Sequence, residues 1–135
     1  IIRSAEFLPV YQGIDVVMPQ LRLLVEKGYN IAIYPEGTRS IDCSIGRFHQ
    51  GAFKLAQELN LDVIPLILYG AGKVLPKKGY MLNKGVIHLE IDSRITPQKL
   101  QTLGLTPKEQ ASFMRSYYKR RYEEIEEVLI RQQKQ

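Results

Sequence analysis

Between residues 30 and 95 short apolar runs take turns with segments of helical period, and that rhythm restricts the chain to an α/β architecture. Asn30-Ile31-Ala32-Ile33-Tyr34 is apolar in character and is ended by Pro35 and Gly37, the pattern of a short parallel strand buried on both faces. Phe48 to Leu59 then sets Phe48, Ala52, Leu55, Ala56 and Leu59 on one face of an expected helix. Asp62 to Tyr69 reads as a second buried strand, closed by Gly70-Ala71-Gly72. Val86 to Asp92 alternates, and its period of two assigns Ile87, Leu89 and Ile91 to the core and His88, Glu90 and Asp92 to the opposite face.

Helical segments flank this region. From Asp15 to Lys27, Val17, Leu21, Leu24 and Val25 recur at helical spacing, Gly28 is the expected stop, and Pro19 is expected in the first turn. Thr106-Pro107-Lys108-Glu109 has the order of an N-cap, a proline at the first helical position and an early acid. It opens a C-terminal helix expected over 107–131, with Met114, Tyr118, Ile125 and Leu129 as its apolar stripe. Phe7-Leu8-Pro9-Val10-Tyr11 is expected as an edge strand or an extended lead-in because Pro9 donates nothing to a ladder. The expectation is one domain over 1–135, a sandwich whose mixed, partly parallel central sheet is flanked by helices.

Composition narrows the partners. With 44% hydrophobic and 24% charged residues the chain has the balance of a compact domain, and 19 Lys+Arg against 14 Asp+Glu leave a net charge of +5. The excess favours an anionic partner such as phosphate, nucleic acid or a lipid surface. Aromatic residues are scattered and no nucleic-acid module is visible, so no nucleic-acid partner is expected. Gly72-Lys73 is followed by Val74, which breaks the pattern of a nucleotide phosphate loop. The single Cys43 excludes an intrachain disulfide framework and suits a reducing compartment. The apolar run Val63 to Gly72 is far shorter than the roughly 20 residues that span a bilayer. Ile1-Ile2-Arg3-Ser4 lacks the charged-then-apolar order of a signal peptide, and the numbering is expected to begin inside a longer protein.

The segment richest in chemistry is Tyr34-Pro35-Glu36-Gly37-Thr38-Arg39-Ser40, where an expected strand delivers its C-terminal end into a loop. Ligands of α/β sheets bind at such ends. Gly37 lets backbone approach a ligand, Thr38 and Ser40 offer hydroxyls, and Arg39 is a rigid fork of donors suited to phosphate. Glu36 stands ready to orient that guanidinium or to accept from a substrate hydroxyl. A plain Pro-Gly turn carrying a solvated arginine has the same local pattern.

Pro35-Glu36-Gly37-Thr38-Arg39-Ser40 resembles the third conserved block of the glycerolipid acyltransferases typified by bacterial lysophosphatidate acyltransferase. Phe7-Leu8-Pro9-Val10 is similar to the second block, Gly46-Arg47-Phe48-His49-Gln50-Gly51-Ala52 to the helix entry after the third, and Val63-Ile64-Pro65-Leu66 to the fourth. The resemblance implies a fold like that of glycerol-3-phosphate acyltransferase. It also implies transfer of a fatty acyl group from acyl-CoA or acyl carrier protein to lysophosphatidate or a related glycerol-phosphate acceptor, with no metal and no other cofactor. It carries the hold on the acceptor phosphate to Glu36, Gly37 and Arg39, with Thr38 in the same set. Ser40 and His49 are further candidates, and Pro65 is expected to shape the acyl or acceptor channel.

Two departures qualify the match. The family's first block is His-x-x-x-x-Asp, a base held by an orienting carboxylate. Of the two histidines here, His49 has Lys54 five residues on and His88 has Ser93, so the catalytic pair is expected upstream of Ile1 and none in this chain. Block two commonly runs into an aspartate-arginine pair where Tyr11-Gln12 stands, leaving Arg3 or Arg22 as substitutes. The alternative is a non-catalytic module that binds glycerophosphate or lipid on the same scaffold.

Lys73, Lys77, Lys78 and Lys84 cluster after block four, as a surface for anionic headgroups or carrier phosphates, or as a solvated loop. Arg115, Lys119, Arg120 and Arg121 are expected on a solvated helix face. His88, Glu90 and Asp92 share a strand face without the geometry of a metal site, and Cys43 has no activating cation in sequence. The expected place of work is the cytoplasmic face of a membrane, by peripheral contact or through an anchor outside this chain.

Overall fold

The structure is a computed structural model that describes residues 13–78 and 81–133. The second-block segment Phe7-Leu8-Pro9-Val10, together with Arg3, Tyr11 and Gln12, lies outside the described residues. Helix α1 (Ile14–Glu26) turns Val17, Met18 and Leu21 inward. It begins one residue earlier than its periodicity suggests and puts Pro19 in the second turn, where the ring leaves the Asp15 carbonyl without its usual donor. Helix α2 (Gly51–Glu58) begins three residues after the expected start, so Phe48 is buried from the loop that leads into it.

Strand β1 (Leu66–Tyr69) is followed by the single turn α3 (Ala71–Val74) and pairs antiparallel with β2 (His88–Ile91), Leu66 opposite Ile91 and Tyr69 opposite His88. An isolated Val63–Ile95 bridge prolongs the pairing, and α4 (Pro97–Thr102) and α5 (Pro107–Gln133) complete the chain. Thr106 and Glu109 exchange hydrogen bonds as a capping box at the start of α5, with Glu109 N–H donating to Thr106 Oγ1 at 3.2 Å and Thr106 N–H to Glu109 Oε2 at 3.0 Å. Those bonds, Thr106 N–H foremost, hold the Glu109 carboxyl below its ordinary pKa.

α5 is the spine. Its first half closes a cluster of Phe48, Phe53, Ile95, Leu100 and Met114, and Ile125 in its second half packs on Ile67 and Tyr69 of β1. A third cluster joins Val17, Met18 and Leu21 of α1 to Leu55 of α2. Among the described residues no helix is long and apolar enough to cross a membrane.

Two expectations about the sheet need correction. Ile31 to Tyr34 joins no ladder among the described residues, and Ile33 and Tyr34 are exposed where a strand buried on both faces was expected. The central sheet of the described residues is one antiparallel pair. In β2 the alternation holds but its sense is inverted. His88 and Glu90 share the side of Ile67 and Tyr69 that meets α5, where Glu90 pairs with Arg121. Leu66, Leu68, Leu89 and Ile91 form the other side, each 40–67% exposed. Period two says which side chains share a face; the covering layer decides which face is inner.

Tyr118 joins the core by an edge contact with Phe48, ring centroids 5.2 Å apart. Burial pushes its phenol up to about 12 from 10.0, partly offset by backbone at Leu66 and reinforced by the charge of Asp92. The native state therefore keeps a proton that the unfolded chain has lost between those values, and stability falls as pH rises through that window. At about 1.4 kcal/mol per pH unit the loss reaches roughly 3 kcal/mol by its upper end. Denaturant unfolding followed from neutral to alkaline pH checks this. Tyr118→Phe removes the largest single part of the alkaline decline, leaving the slope supplied by Tyr69 and Tyr122, also raised by burial, and by Lys54 and Lys73, raised by their hydrogen bonds to Asp15 and Tyr69.

Candidate functional site

The loop from Pro35 to Gly46 is tied at its neck from inside. Gly37 N–H donates to the Tyr34 carbonyl at 3.1 Å, and His49 N–H donates to the Pro35 carbonyl at 2.7 Å. Glu36 turns inward, where its Oε2 accepts from Gly46 N–H at 2.7 Å. A Cβ added at Gly46 would stand 2.8 Å from that oxygen, so the glycine is what lets the carboxylate close the neck. Arg115 of α5 donates from Nε to the Gly46 carbonyl at 2.7 Å and fastens the closed neck to the spine. Farther out, Ser44 donates its hydroxyl and its N–H to Asp42 Oδ1 at 2.8 and 3.1 Å, the hydroxyl bond first among the causes that lower the Asp42 pKa.

These contacts distribute the expected site residues. Gly37, at φ 67°, is in the left-handed region and faces the His49 ring, which a Cβ there would meet at 3.4 Å. Both line a cleft of about 380 Å³, walled by Ile14, Ile33, Tyr34 and Ala52. Thr38 and Arg39 belong to the other side of the loop. Thr38 Oγ1 accepts from Lys77 Nζ at 3.1 Å, and an Arg39 NH1 donates to the Leu75 carbonyl at 3.3 Å. Arg39 is exposed and Ser40 half-buried.

Glu36 thus sets the loop rather than the guanidinium, whose partner is the Leu75 carbonyl. Pro65 is fully buried, its carbonyl accepting from Asp92 N–H at 3.0 Å, and it is absent from the walls of the cleft. Arg22 is exposed on α1 and is likewise no part of those walls.

Two residues carry more than their sequence context signals. Arg115, expected on a solvated face, is half-buried at the loop neck; its place one residue after Met114 of the apolar stripe is the only hint. Arg121, expected on the same solvated face, is held between Glu90 and Glu124.

A family model described as "Acyltransferase" matches residues 3–69, a span that contains the whole loop and β1. The chain is 34% identical over 83 residues to a 1-acyl-sn-glycerol-3-phosphate acyltransferase of Chlamydomonas reinhardtii, covering 61% of this chain and 25% of the relative. It is 37% identical over 81 residues to a chloroplastic enzyme of the same name from Arabidopsis thaliana, covering 59% of this chain and 23% of the relative. The chain therefore spans about a quarter of the length of these relatives. In three dimensions it is similar to the crystal structure of the 1-acyl-sn-glycerophosphate acyltransferase PlsC of Thermotoga maritima. The TM-score is 0.69 at 22% identity, over 84% of this chain and 44% of that one. Sequence and fold point the same way, and residues 3–69 of this chain belong to the acyltransferase family.

Proposed function

We propose that the protein carrying this chain transfers a fatty acyl group from acyl-CoA or acyl carrier protein to the free hydroxyl of 1-acylglycerol-3-phosphate, and that this chain supplies the hold on the acceptor's phosphate. The observation that carries the reading is Arg39. It is an exposed guanidinium on a tied loop, with no carboxylate in ion-pair reach among the described residues. One of its five donors is spent on the Leu75 carbonyl, which leaves the others for a phosphate. Thr38 and Ser40 flank it in sequence, and the apolar cleft under Gly37 and His49, on the other side of the loop, suits the glycerol and acyl portion of the acceptor.

In this reading a histidine-aspartate pair outside these 135 residues removes the acceptor hydroxyl's proton. The oxygen attacks the thioester carbonyl, the tetrahedral intermediate collapses, and the thiolate leaves with the proton returned by the imidazole. The enzyme forms no covalent bond to the acyl group, and no metal takes part. Relatives of this name and a chain that spans a quarter of their length support the division of labour. The same support extends the fold proposal. Ile31–Tyr34 and the bare face of Leu66, Leu68, Leu89 and Ile91 take their places in a mixed, partly parallel sheet, covered on its second side by further helices of the intact protein. A lipid acceptor implies work at a membrane surface on the cytoplasmic side, with exposed Lys78 and Lys84 against anionic headgroups.

The test is turnover by the intact protein across a matrix of acceptors (lysophosphatidate, glycerol 3-phosphate, lysophosphatidylcholine) and the two donor types. The expected outcome is acyl transfer to a phosphomonoester acceptor and little to lysophosphatidylcholine, whose phosphate is esterified on both sides. Binding of lysophosphatidate without turnover on any donor returns the alternative of a non-catalytic glycerophosphate module.

A further inference from the structure

The structure divides the lysine-rich stretch after α3. Lys73 turns back on β1, its Nζ 3.4 Å from the Tyr69 hydroxyl and 5.2 Å from that ring's centroid. Lys77 instead reaches across 39 residues of sequence to donate to Thr38 Oγ1. Arg39 reaches in the opposite sense to the Leu75 carbonyl. Two crossed hydrogen bonds thereby lace residues 38–39 to residues 75–77 and bring an ammonium and a guanidinium to one exposed edge.

Neither cation has a carboxylate in ion-pair reach among the described residues. The acids of the same loop are committed elsewhere, Glu36 to Gly46 N–H and Asp42 to Ser44. Two like charges laced together without a counter-charge repel, and the pairing is relieved when a shared anion enters. Each side chain keeps donors in hand, because the ammonium spends one of three on Thr38 and the guanidinium one of five on Leu75. A planar fork beside a point charge suits a phosphate monoester, with two oxygens on the fork and one on the ammonium.

We propose that Lys77 is the second cation of the acceptor-phosphate site and acts with Arg39 on the same phosphate. The proposal rests on the reading that the Pro35–Gly46 loop holds that phosphate. Thr38 then serves as the positioning residue that aims the ammonium, and the loop after α3 is part of the acceptor site instead of a detached basic surface.

The test uses the intact protein with lysophosphatidate in neutral detergent micelles. Lys77→Met keeps an unbranched side chain only one heavy atom shorter and removes the charge. It is expected to raise the acceptor KM about tenfold, the scale of one charge-assisted hydrogen bond, with kcat changed less than about twofold. Lys77→Arg recovers most of the loss, and inorganic phosphate weakens as a competitive inhibitor of Lys77→Met by the same factor. An unchanged KM in Lys77→Met overturns the inference. So does a KM effect seen only when the acceptor is presented in phosphatidylglycerol vesicles, which assigns the lysine to the bilayer's own headgroups. Arg39→Ala measured in parallel separates the two levels. A raised KM there with Lys77→Met unchanged removes Lys77 alone, and an unchanged KM in both removes the phosphate reading of the loop.

Discussion

Arg39→Ala in the intact protein is expected to lower kcat/KM for lysophosphatidate roughly 50-fold, an effect near 2–3 kcal/mol that falls mainly on the acceptor KM. The size follows from what the side chain has available. Its guanidinium is exposed and free of carboxylates among the described residues, and it is tied by one hydrogen bond that leaves its fork open. Loss of a bidentate charge-assisted contact accounts for most of the change. Loss of the Leu75 tie adds to it by loosening residues 38–39 from residues 75–77. Arg39→Lys restores the charge without the fork and is expected to recover only part of the activity. Monoacylglycerol, an acceptor without phosphate, is the internal control. Any residual turnover on it should be equal for the parent protein and Arg39→Ala, and an equal 50-fold loss there would assign Arg39 to the architecture of the loop.

The loop that bears Arg39 was legible in sequence as a motif but not as a shape. Pro35 to Ser40 stood out because a proline, a glycine and an arginine follow an apolar run, yet nothing in that run says that Glu36 faces inward to Gly46. The partner lies ten residues on and is a backbone N–H, which carries no sequence signature. Arg115 and Lys77 were hidden for the same reason: each bonds to a residue more than thirty positions away, a carbonyl in one case and a hydroxyl in the other.

Local chemistry was read better than packing. The Thr106-Pro107-Lys108-Glu109 signature predicted an N-cap with an early acid, and in the structure Thr106 and Glu109 go further and bond to each other reciprocally as a capping box. Thr96-Pro97 carries a shorter version of the same signal, with Thr96 Oγ1 accepting from Lys99 N–H at 3.3 Å. That signal is weak in sequence because α4 ends after six residues, too few for a periodic stripe. The inverted sense of β2 has a different origin. Ile87, Leu89 and Ile91 are more apolar than His88 and Glu90, and hydrophobicity alone assigns them inward. α5 covers the polar side because Arg121 offers Glu90 a partner there, and because Ile67 and Tyr69 of β1 give that same side its apolar weight.

Gly70→Ala is expected to destabilise the protein by about 3 kcal/mol, the larger of two glycine effects that a single measurement separates. Gly70 ends β1 at φ 84°, in the left-handed region, and a Cβ there would stand 2.5 Å from the Val86 carbonyl oxygen. That oxygen belongs to backbone just ahead of β2, so relief requires parting the Tyr69–His88 end of the ladder. Gly72→Ala, two residues on, makes contact at a similar distance, 2.6 Å, but with the Cys43 Sγ, and it carries no left-handed backbone. A side chain can give way where a carbonyl in a ladder cannot, and about 1 kcal/mol is expected there. The denaturant midpoint of the intact protein with an unchanged m-value is the measurement for both. Equal losses would show that the strained corner contributes nothing beyond contact. The corner also has a functional reach, because α3 leads from it directly to the Leu75 and Lys77 ties. Gly70→Ala at a temperature where it remains folded is therefore expected to raise the acceptor KM in the direction of Lys77→Met, whereas Gly72→Ala, which leaves the corner intact, is expected to raise it less.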